Sequence, residues 1–141
     1  MSQLSFRHLN TDWNAEPNAP DVELTVEGDV VRLSFLLNPW AYDAKVGEIG
    51  TLRFVGCDRL RWDATNDHAW FAGKGRYSNQ APEWGEFYEV IGDDHAINDL
   101  DWEVLSQDSP NSRHFLFYFR DETIEFFAQD WSLTRKMPKG G

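Results

Sequence analysis

The apolar and polar residues over 22–37 alternate with the period of two that is typical of β-strands. A Gly28-Asp29 pair in the middle of this stretch is a favoured two-residue hairpin turn. Folding the chain about that turn collects the apolar side chains on one face and most charged ones on the other. We therefore predict a β-hairpin whose buried face has three cross-strand pairs: Val26 with Val31, Leu24 with Leu33, and Val22 with Phe35.

A second hairpin is predicted around residues 120–123, between two aromatic-rich stretches. Its first face is fully apolar in the predicted register, which pairs Phe119 with Ile124, Phe117 with Phe126 and Phe115 with Ala128. Its second face is half apolar, with Leu116 against Phe127 and Tyr118 against Glu125. Strands that are apolar on both faces are typical of the centre of a covered sheet. The turn is weakly marked, because Asp121-Glu122 lacks the Gly or Asn that tight hairpins prefer.

Shorter apolar runs predict further strands at 51–54, 60–62, 85–91 and 102–105, and Gly56-Cys57-Asp58 is predicted to be a bulge or a three-residue turn. No window keeps helical spacing over three turns, and at most one helical turn is predicted over 41–46. About seven strands predict a mainly β fold, an antiparallel sandwich or barrel, with an α+β fold containing one short helix as the alternative. Residues 1–141 are predicted to form a single globular domain, with an irregular arm or loop over 10–21 and a loose tail over 136–141.

Charge and cysteine content narrow the class of protein. A formal net charge of -11 argues against nucleic-acid binding, which needs a basic surface. No apolar stretch reaches the ~18 residues that span a bilayer, and the first residues lack the pattern of a secretory signal. Cys57 is the single cysteine, so no intramolecular disulfide forms. These features predict a soluble protein of the reducing cytosol, with Cys57 a small core or loop residue rather than a nucleophile.

The middle of the chain combines aromatic side chains with negative charge. Residues 77–112 contain nine acidic residues and no Lys or Arg. Aromatic residues anchor protein interfaces and line ligand pockets, and acidic surfaces steer basic partners. The alternatives are that the aromatic residues fill the core and the acids solubilise the surface. The binding candidates are Trp40, Trp70, Trp84, Glu86, Tyr88 and Asp94.

Evidence for catalytic chemistry in the sequence is limited to Asp63, Asp67 and His68, which bring two carboxylates and an imidazole close together. An acid/base pair needs such groups within hydrogen-bond reach. Asp and Asn clusters are also ordinary turn residues, and the segment favours a surface turn. No His, Cys or carboxylate set has metal-ligand spacing, so we predict no metal and no cofactor.

These observations support three functional hypotheses. The first is a non-enzymatic protein-binding domain, an inhibitor or immunity-like partner of a basic protein. An acidic, aromatic-rich chain without a catalytic signature resembles small bacterial immunity proteins in general character only. The second hypothesis is a small-ligand-binding β-barrel or sandwich with an aromatic-lined pocket. The third is a hydrolase that uses Asp63, Asp67 or His68. The oligomeric state does not follow from the sequence.

Overall fold

A computed structural model of the chain describes residues 4–17, 20–40, 42–63, 86–92, 101–106, 112–119 and 122–137. The regular structure in these ranges is entirely β-strand. The strands are β1 (Ser5–His8), β2 (Glu23–Glu27), β3 (Val30–Leu36), β4 (Ile49–Val55), β5 (Arg59–Asp63), β6 (Phe87–Ile91), β7 (Glu103–Val104), β8 (Arg113–Tyr118), β9 (Thr123–Ala128) and β10 (Asp130–Lys136).

The strands form two antiparallel sheets that do not close into a barrel. One sheet has six strands in the order β1-β6-β8-β9-β5-β7, and the other has four in the order β10-β4-β3-β2. The prediction of a mainly β sandwich is thus confirmed. The helical turn predicted over 41–46 is not formed in its described residues, which are turns and bends.

The core between the sheets is built largely from phenylalanine. Phe54 on β4 stacks on Phe126 on β9, with ring centroids 4.1 Å apart. Phe35 on β3 meets Phe117 on β8 edge to face at 5.2 Å. All four side chains are fully buried. Offset-stacked and edge-to-face contacts add to the stabilisation that buried aromatic area provides, so these pairs hold the two sheets together.

The first predicted hairpin has the predicted register. Leu24 lies opposite Leu33 and Val26 opposite Val31, and the chain turns at Gly28, whose φ of +64° suits glycine. The burial of the first strand was overestimated, because Val26 is 44% exposed. The reason is that β2 is at the edge of its sheet, with β3 as its single neighbour among the described strands.

The second predicted hairpin has the right faces but the wrong register. Phe117 lies opposite Ile124, whereas the sequence predicted Phe119 at that position. The Phe119 amide donates to the Glu122 carbonyl at 2.8 Å, so the hairpin closes one residue earlier than predicted. Moving the turn by one residue changes the cross-strand partner of each residue by two positions, so every side chain stays on its predicted face. The central position is confirmed, since β8 and β9 are inner strands.

Other segments differ from the predictions. The described residues of the arm, 10–17 and 20–21, are irregular apart from a bridge at Ala15, but they contribute Trp13 to the core, where this indole is 4% exposed. Lys136, predicted to open the tail, is the last residue of β10. Trp62 on β5 is 42% exposed, although Leu60, two residues earlier on the same strand, is buried. Among the described residues, β7 pairs with Arg59 and Leu60 and does not extend along Trp62.

The connection at Gly56-Cys57-Asp58 carries the chain from the four-stranded sheet to the six-stranded one. Cys57 is fully buried there, as its predicted role as a core or loop residue requires. Burial raises the pKa of the thiol to about 12, and the negative charge of Asp58 adds to the shift. In the described parts of the chain, no helix has the length and apolar character that crossing a membrane requires.

Candidate functional site

The binding candidates that the structure describes lie in different environments. Trp40 follows β3 and is 71% exposed, whereas Tyr88 on β6 is buried. Glu86 directly precedes β6, and its side chain is 12% exposed. The other three candidates, Trp70, Trp84 and Asp94, lie outside the described residues. Among the described candidates, therefore, only Trp40 offers a large apolar surface to a partner.

Glu86 and Tyr88 both make contacts within the fold. The Glu86 carboxylate accepts a hydrogen bond from Asn10 Nδ2 and lies 3.4 Å from His8 Nε2. Tyr88 belongs to a small apolar cluster on the six-stranded sheet and meets Phe6 edge to face at 6.1 Å. Through these contacts the two candidates attach the N-terminal strand and the arm to β6.

Trp40 lies on the β3–β4 loop, which we define as residues 37–48. Its backbone amide donates to Asn38 Oδ1 at 3.0 Å, an arrangement in which a side chain fixes its own turn. The Asn38 amide in turn donates to the Asn14 carbonyl at 2.9 Å, which attaches the loop to the arm. Val46 on the same loop is 80% exposed. The loop thus presents two apolar side chains from an anchored backbone.

Glu48 holds the other end of this loop. Its Oε1 accepts from the Lys45 amide at 3.0 Å, and its Oε2 accepts from Arg135 Nε at 2.8 Å. The Arg135 hydrogen bond and the Lys45 amide lower the pKa of the Glu48 carboxyl, so it is ionised at neutral pH. Arg135 Nη2 also donates to the Asp43 carbonyl at 3.0 Å. These bonds connect β10 to the second half of the loop, whereas Asn38 holds the first half.

Negative charge lies beside the loop. The hydrogen bond to Glu48 raises the pKa of Arg135, and the charges of Asp12 and Asp43 add to the shift. Because both aspartates are exposed, they remain available to a charged partner. The β3–β4 loop therefore carries the exposed acidic side chain of Asp43 as well as the apolar side chains of Trp40 and Val46.

A second group of functional interest is the outer-face cluster, which we define as His114, Glu125, Arg61 and Asp63. These residues lie on the face of the six-stranded sheet that points away from the core. Glu125 is fully buried; its Oε2 accepts from Arg61 Nη1 at 3.0 Å, and its Oε1 lies 2.6 Å from His114 Nε2. Arg61 also lies 3.5 Å from Asp63. A continuous network of polar contacts thus crosses three adjacent strands, β8, β9 and β5.

An aromatic and cationic stack borders this cluster. The imidazole of His114 stacks on Phe127 with centroids 4.5 Å apart. The guanidinium of Arg59 lies 4.2 Å from the centroid of Phe127 and 4.9 Å from that of Trp102. Cation–π contacts of this kind stabilise a guanidinium that is partly removed from water. The stack fixes the ring plane of His114 beside Glu125.

On the same face, three buried polar atoms have no hydrogen-bond partner among the described residues: Arg59 Nε, Arg61 Nε and Thr123 Oγ1. A buried polar group without a partner costs about 1–3 kcal/mol, so such atoms often mark a bound water or ligand. Within the described ranges, no three His, Cys, Asp or Glu side chains are grouped to hold a metal ion. Around the outer-face cluster, buried charge thus lies beside buried polar atoms that have no partner among the described residues.

Of the proposed hydrolase residues, Asp63 lies at the edge of the outer-face cluster, and Asp67 and His68 lie outside the described residues. The sequence did not identify the His114–Glu125 contact, because the two residues come from different strands and no local motif joins them. The sequence did contain a signal for this contact. His114 and Glu125 are polar residues on the second face of a predicted central strand pair, and buried polar residues need hydrogen-bond partners.

A shallow groove also lies on the outer side of the four-stranded sheet. Its volume is about 310 Å³, and most of its lining is polar or charged: Asp21, Glu23, Ser34, Thr51 and Lys136, beside Phe35, Leu36 and Ile49. Phe35 is its single aromatic residue. This groove does not match the aromatic-lined pocket that the second sequence hypothesis requires.

Comparison of the chain with protein-family models, curated proteins and solved structures found no match.

Proposed function

We propose that this protein is a non-enzymatic binding domain that attaches to a basic protein through its β3–β4 loop. The observation that carries the proposal is the 71% exposure of Trp40 on a loop that Glu48 fixes in place. Tryptophan is among the residue types most enriched at the energetic centre of protein interfaces. An exposed indole on a mobile loop would be a weaker anchor, because binding would have to order the loop.

The anchored loop reduces that ordering cost. The hydrogen bonds from Lys45 and Arg135 to Glu48 hold the backbone before a partner arrives. Val46 extends the apolar area around the same loop. Binding energy gained by burying these side chains is then available as affinity.

Electrostatics favour a basic partner. The chain has a formal net charge of -11, and Asp12 and Asp43 are exposed beside Arg135. Such charges accelerate the encounter with a positively charged protein, and the acceleration falls as salt increases. The aspartates are thus expected to act mainly on the association rate and Trp40 mainly on the dissociation rate.

The test begins by capturing a partner from the source cell with the immobilised chain and purifying it. Capture alone does not decide the question. Trp40→Ala is then compared with Trp62→Ala, because Trp62 is also partly exposed but lies on β5, outside the loop. We expect Trp40→Ala to weaken binding about 30-fold or more, as a loss of at least ~2 kcal/mol implies, while Trp62→Ala binds normally.

Association rates provide the second measurement. Asp43→Lys is expected to slow association at low salt. Asp94→Lys tests whether the acidic segment over 77–112, from which Asp94 was chosen as a binding candidate, also contributes to association. Glu86→Lys is a poor probe, because it would also break the contacts to Asn10 and His8. A captured protein whose binding ignores Trp40→Ala, salt and Asp43→Lys would contradict the proposal.

A second candidate function is the binding of a small polar ligand at the outer-face cluster. The specific observation that favours it is the set of partnerless atoms on Arg59, Arg61 and Thr123. The buried His114–Glu125 pair could also exchange a proton with such a ligand. Native mass spectrometry of the purified protein tests this function. A stoichiometric small molecule that is lost in Thr123→Val would favour it over the protein-binding proposal.

A further inference from the structure

The last strand, β10, forms one edge of the four-stranded sheet. Within the described residues, β4 is its single strand neighbour over seven registered pairs, from Asp130 opposite Val55 to Lys136 opposite Ile49. An edge strand presents a row of backbone amides and carbonyls that another strand can pair with. The other edges are shorter: β2 has five residues, β1 four and β7 two.

The hydrogen-bond pattern establishes which β10 amides point outward. The backbone amide of Leu37 donates to the carbonyl of Glu48, which lies opposite it in the continued β3–β4 register. Hydrogen-bonded and non-hydrogen-bonded pairs alternate along an antiparallel ladder, so the even-numbered residues of β4 are the ones that bond to β3. The odd-numbered residues of β4 therefore bond to the even-numbered residues of β10. This leaves the amides of Trp131, Leu133 and Arg135 directed away from β4. The Trp131 amide accordingly donates to the side chain of Asp130 at 2.8 Å.

We propose that β10 pairs with β10 of a second copy of this chain, antiparallel and centred on Leu133. This register places Leu133 opposite its own counterpart and uses the outward amides of Leu133 and Arg135, together with that of Trp131 once it exchanges its bond to Asp130 for the new strand. It also places Asp130 opposite Lys136 at both ends of the new strand pair. Opposite charges on directly facing residues stabilise a strand pair, and here the symmetry supplies the contact twice.

The opposite edge of the sheet is less favourable when two copies pair about the middle of the strand. Antiparallel pairing of β2 with a second β2 about Thr25 would place Glu23 opposite Glu27 at both ends. Like charges facing each other destabilise a strand pair and are a common protection of edge strands. Strand β10 carries one acid and two bases, a net charge of +1, in a chain whose net charge is -11. The β10 edge is thus the one suited to a second copy.

The test is a charge exchange at the two exposed end residues. Asp130→Lys and Lys136→Asp each turn both attractive contacts into repulsive ones, so each variant alone is expected to associate about tenfold more weakly. An equimolar mixture of the two variants restores both contacts, as does the double variant. Association is measured by sedimentation equilibrium at ~0.15 M salt, where the Debye length of about 8 Å screens the long-range repulsion of two acidic chains.

A proline scan tests the backbone contacts separately. Leu133→Pro removes an outward amide that the β10–β4 ladder does not use, and proline is tolerated on such an edge. We expect this variant to be a folded monomer, whereas Ser132→Pro removes a ladder amide and unfolds. If Leu133→Pro does not fold, the variants at the exposed residues Asp130 and Lys136 still test whether β10 pairs with a second copy. A wild-type chain that stays monomeric to millimolar concentration, or a dimer indifferent to the charge exchange, would overturn the proposal.

Discussion

Arg135 in the last strand donates from Nε to Oε2 of Glu48, 87 residues earlier in the chain, over a distance of 2.8 Å. The side chain of Glu48 is 9% exposed and that of Arg135 is 32% exposed, so water screens the pair only partly. Because Glu48 also accepts the Lys45 amide, this pair supports both the β10 edge and the loop that carries Trp40. Its strength is therefore relevant to both proposed interactions.

Stability is expected to fall in acid partly because of this pair. Hydrogen bonds from Arg135 and the Lys45 amide lower the pKa of Glu48, and Arg113 lowers that of Glu89. A carboxyl group whose pKa is lowered in the folded state contributes stability at neutral pH, and that contribution is lost as pH falls below its ordinary value of about 4.5. Urea melts should show a smaller acid-induced loss for Glu48→Gln than for the wild type.

Glu48→Gln is also expected to reduce the free energy of unfolding at neutral pH by about 1 kcal/mol, since it weakens a charged hydrogen bond. Glu27→Gln is the matched control, because the Glu27 side chain is 85% exposed and lies 3.4 Å from Arg32. Ion pairs between exposed side chains contribute little to the free energy of unfolding. Equal effects of the two substitutions at both pH values would contradict this role for Glu48.

The first hairpin offers a direct test of buried and exposed partners. Leu33 is fully buried, whereas Val26 on the facing strand is 44% exposed. Leu33→Ala is expected to cost about 2–5 kcal/mol, the usual range for truncating a large core residue. Val26→Ala should cost less than ~1 kcal/mol, because nearly half of its surface stays in contact with water. Urea denaturation measures both, and similar costs would argue against the edge position of β2.

The faces of the strands could be predicted from sequence because side chains alternate with a period of two. In the first hairpin, Gly28-Asp29 also marked the turn, so the register followed. In the second, no Gly or Asn marked the turn, and Phe117 could face either Ile124 or Phe126 without leaving its apolar face. Such a slip of two residues preserves the pattern that the prediction relied on.

Features that depend on distant residues were not predictable in this way. Trp13 lies in an irregular segment without periodicity, and only the tertiary structure brings it into the core. Strand β10 was not among the predicted strands, although Trp131 and Leu133 alternate with polar residues. The contact between His114 and Glu125 is likewise made by two strands rather than by a motif.

The buried thiol of Cys57 is expected to be unreactive in the folded protein. Burial raises its pKa to about 12, so almost no thiolate exists at neutral pH. A disulfide reagent such as DTNB should therefore modify the native protein slowly and the urea-unfolded protein rapidly. Modification of the native protein at the rate of the unfolded chain would show that Cys57 is accessible.

The outer-face cluster makes Glu125 the carboxylate whose loss is expected to destabilise the fold most. Glu125→Ala removes the partner of both Arg61 and His114 while Arg61 stays charged and largely buried. Breaking a buried charge pair from one side costs about 3–5 kcal/mol. Glu125→Gln keeps the shape and one acceptor, so it should cost less. Asp63→Asn is the matched control, because that carboxylate is 33% exposed and lies 3.5 Å from the same arginine. Thermal and urea unfolding of the three variants give the comparison, and a Glu125→Ala protein as stable as Asp63→Asn would mean that the buried charges are not coupled.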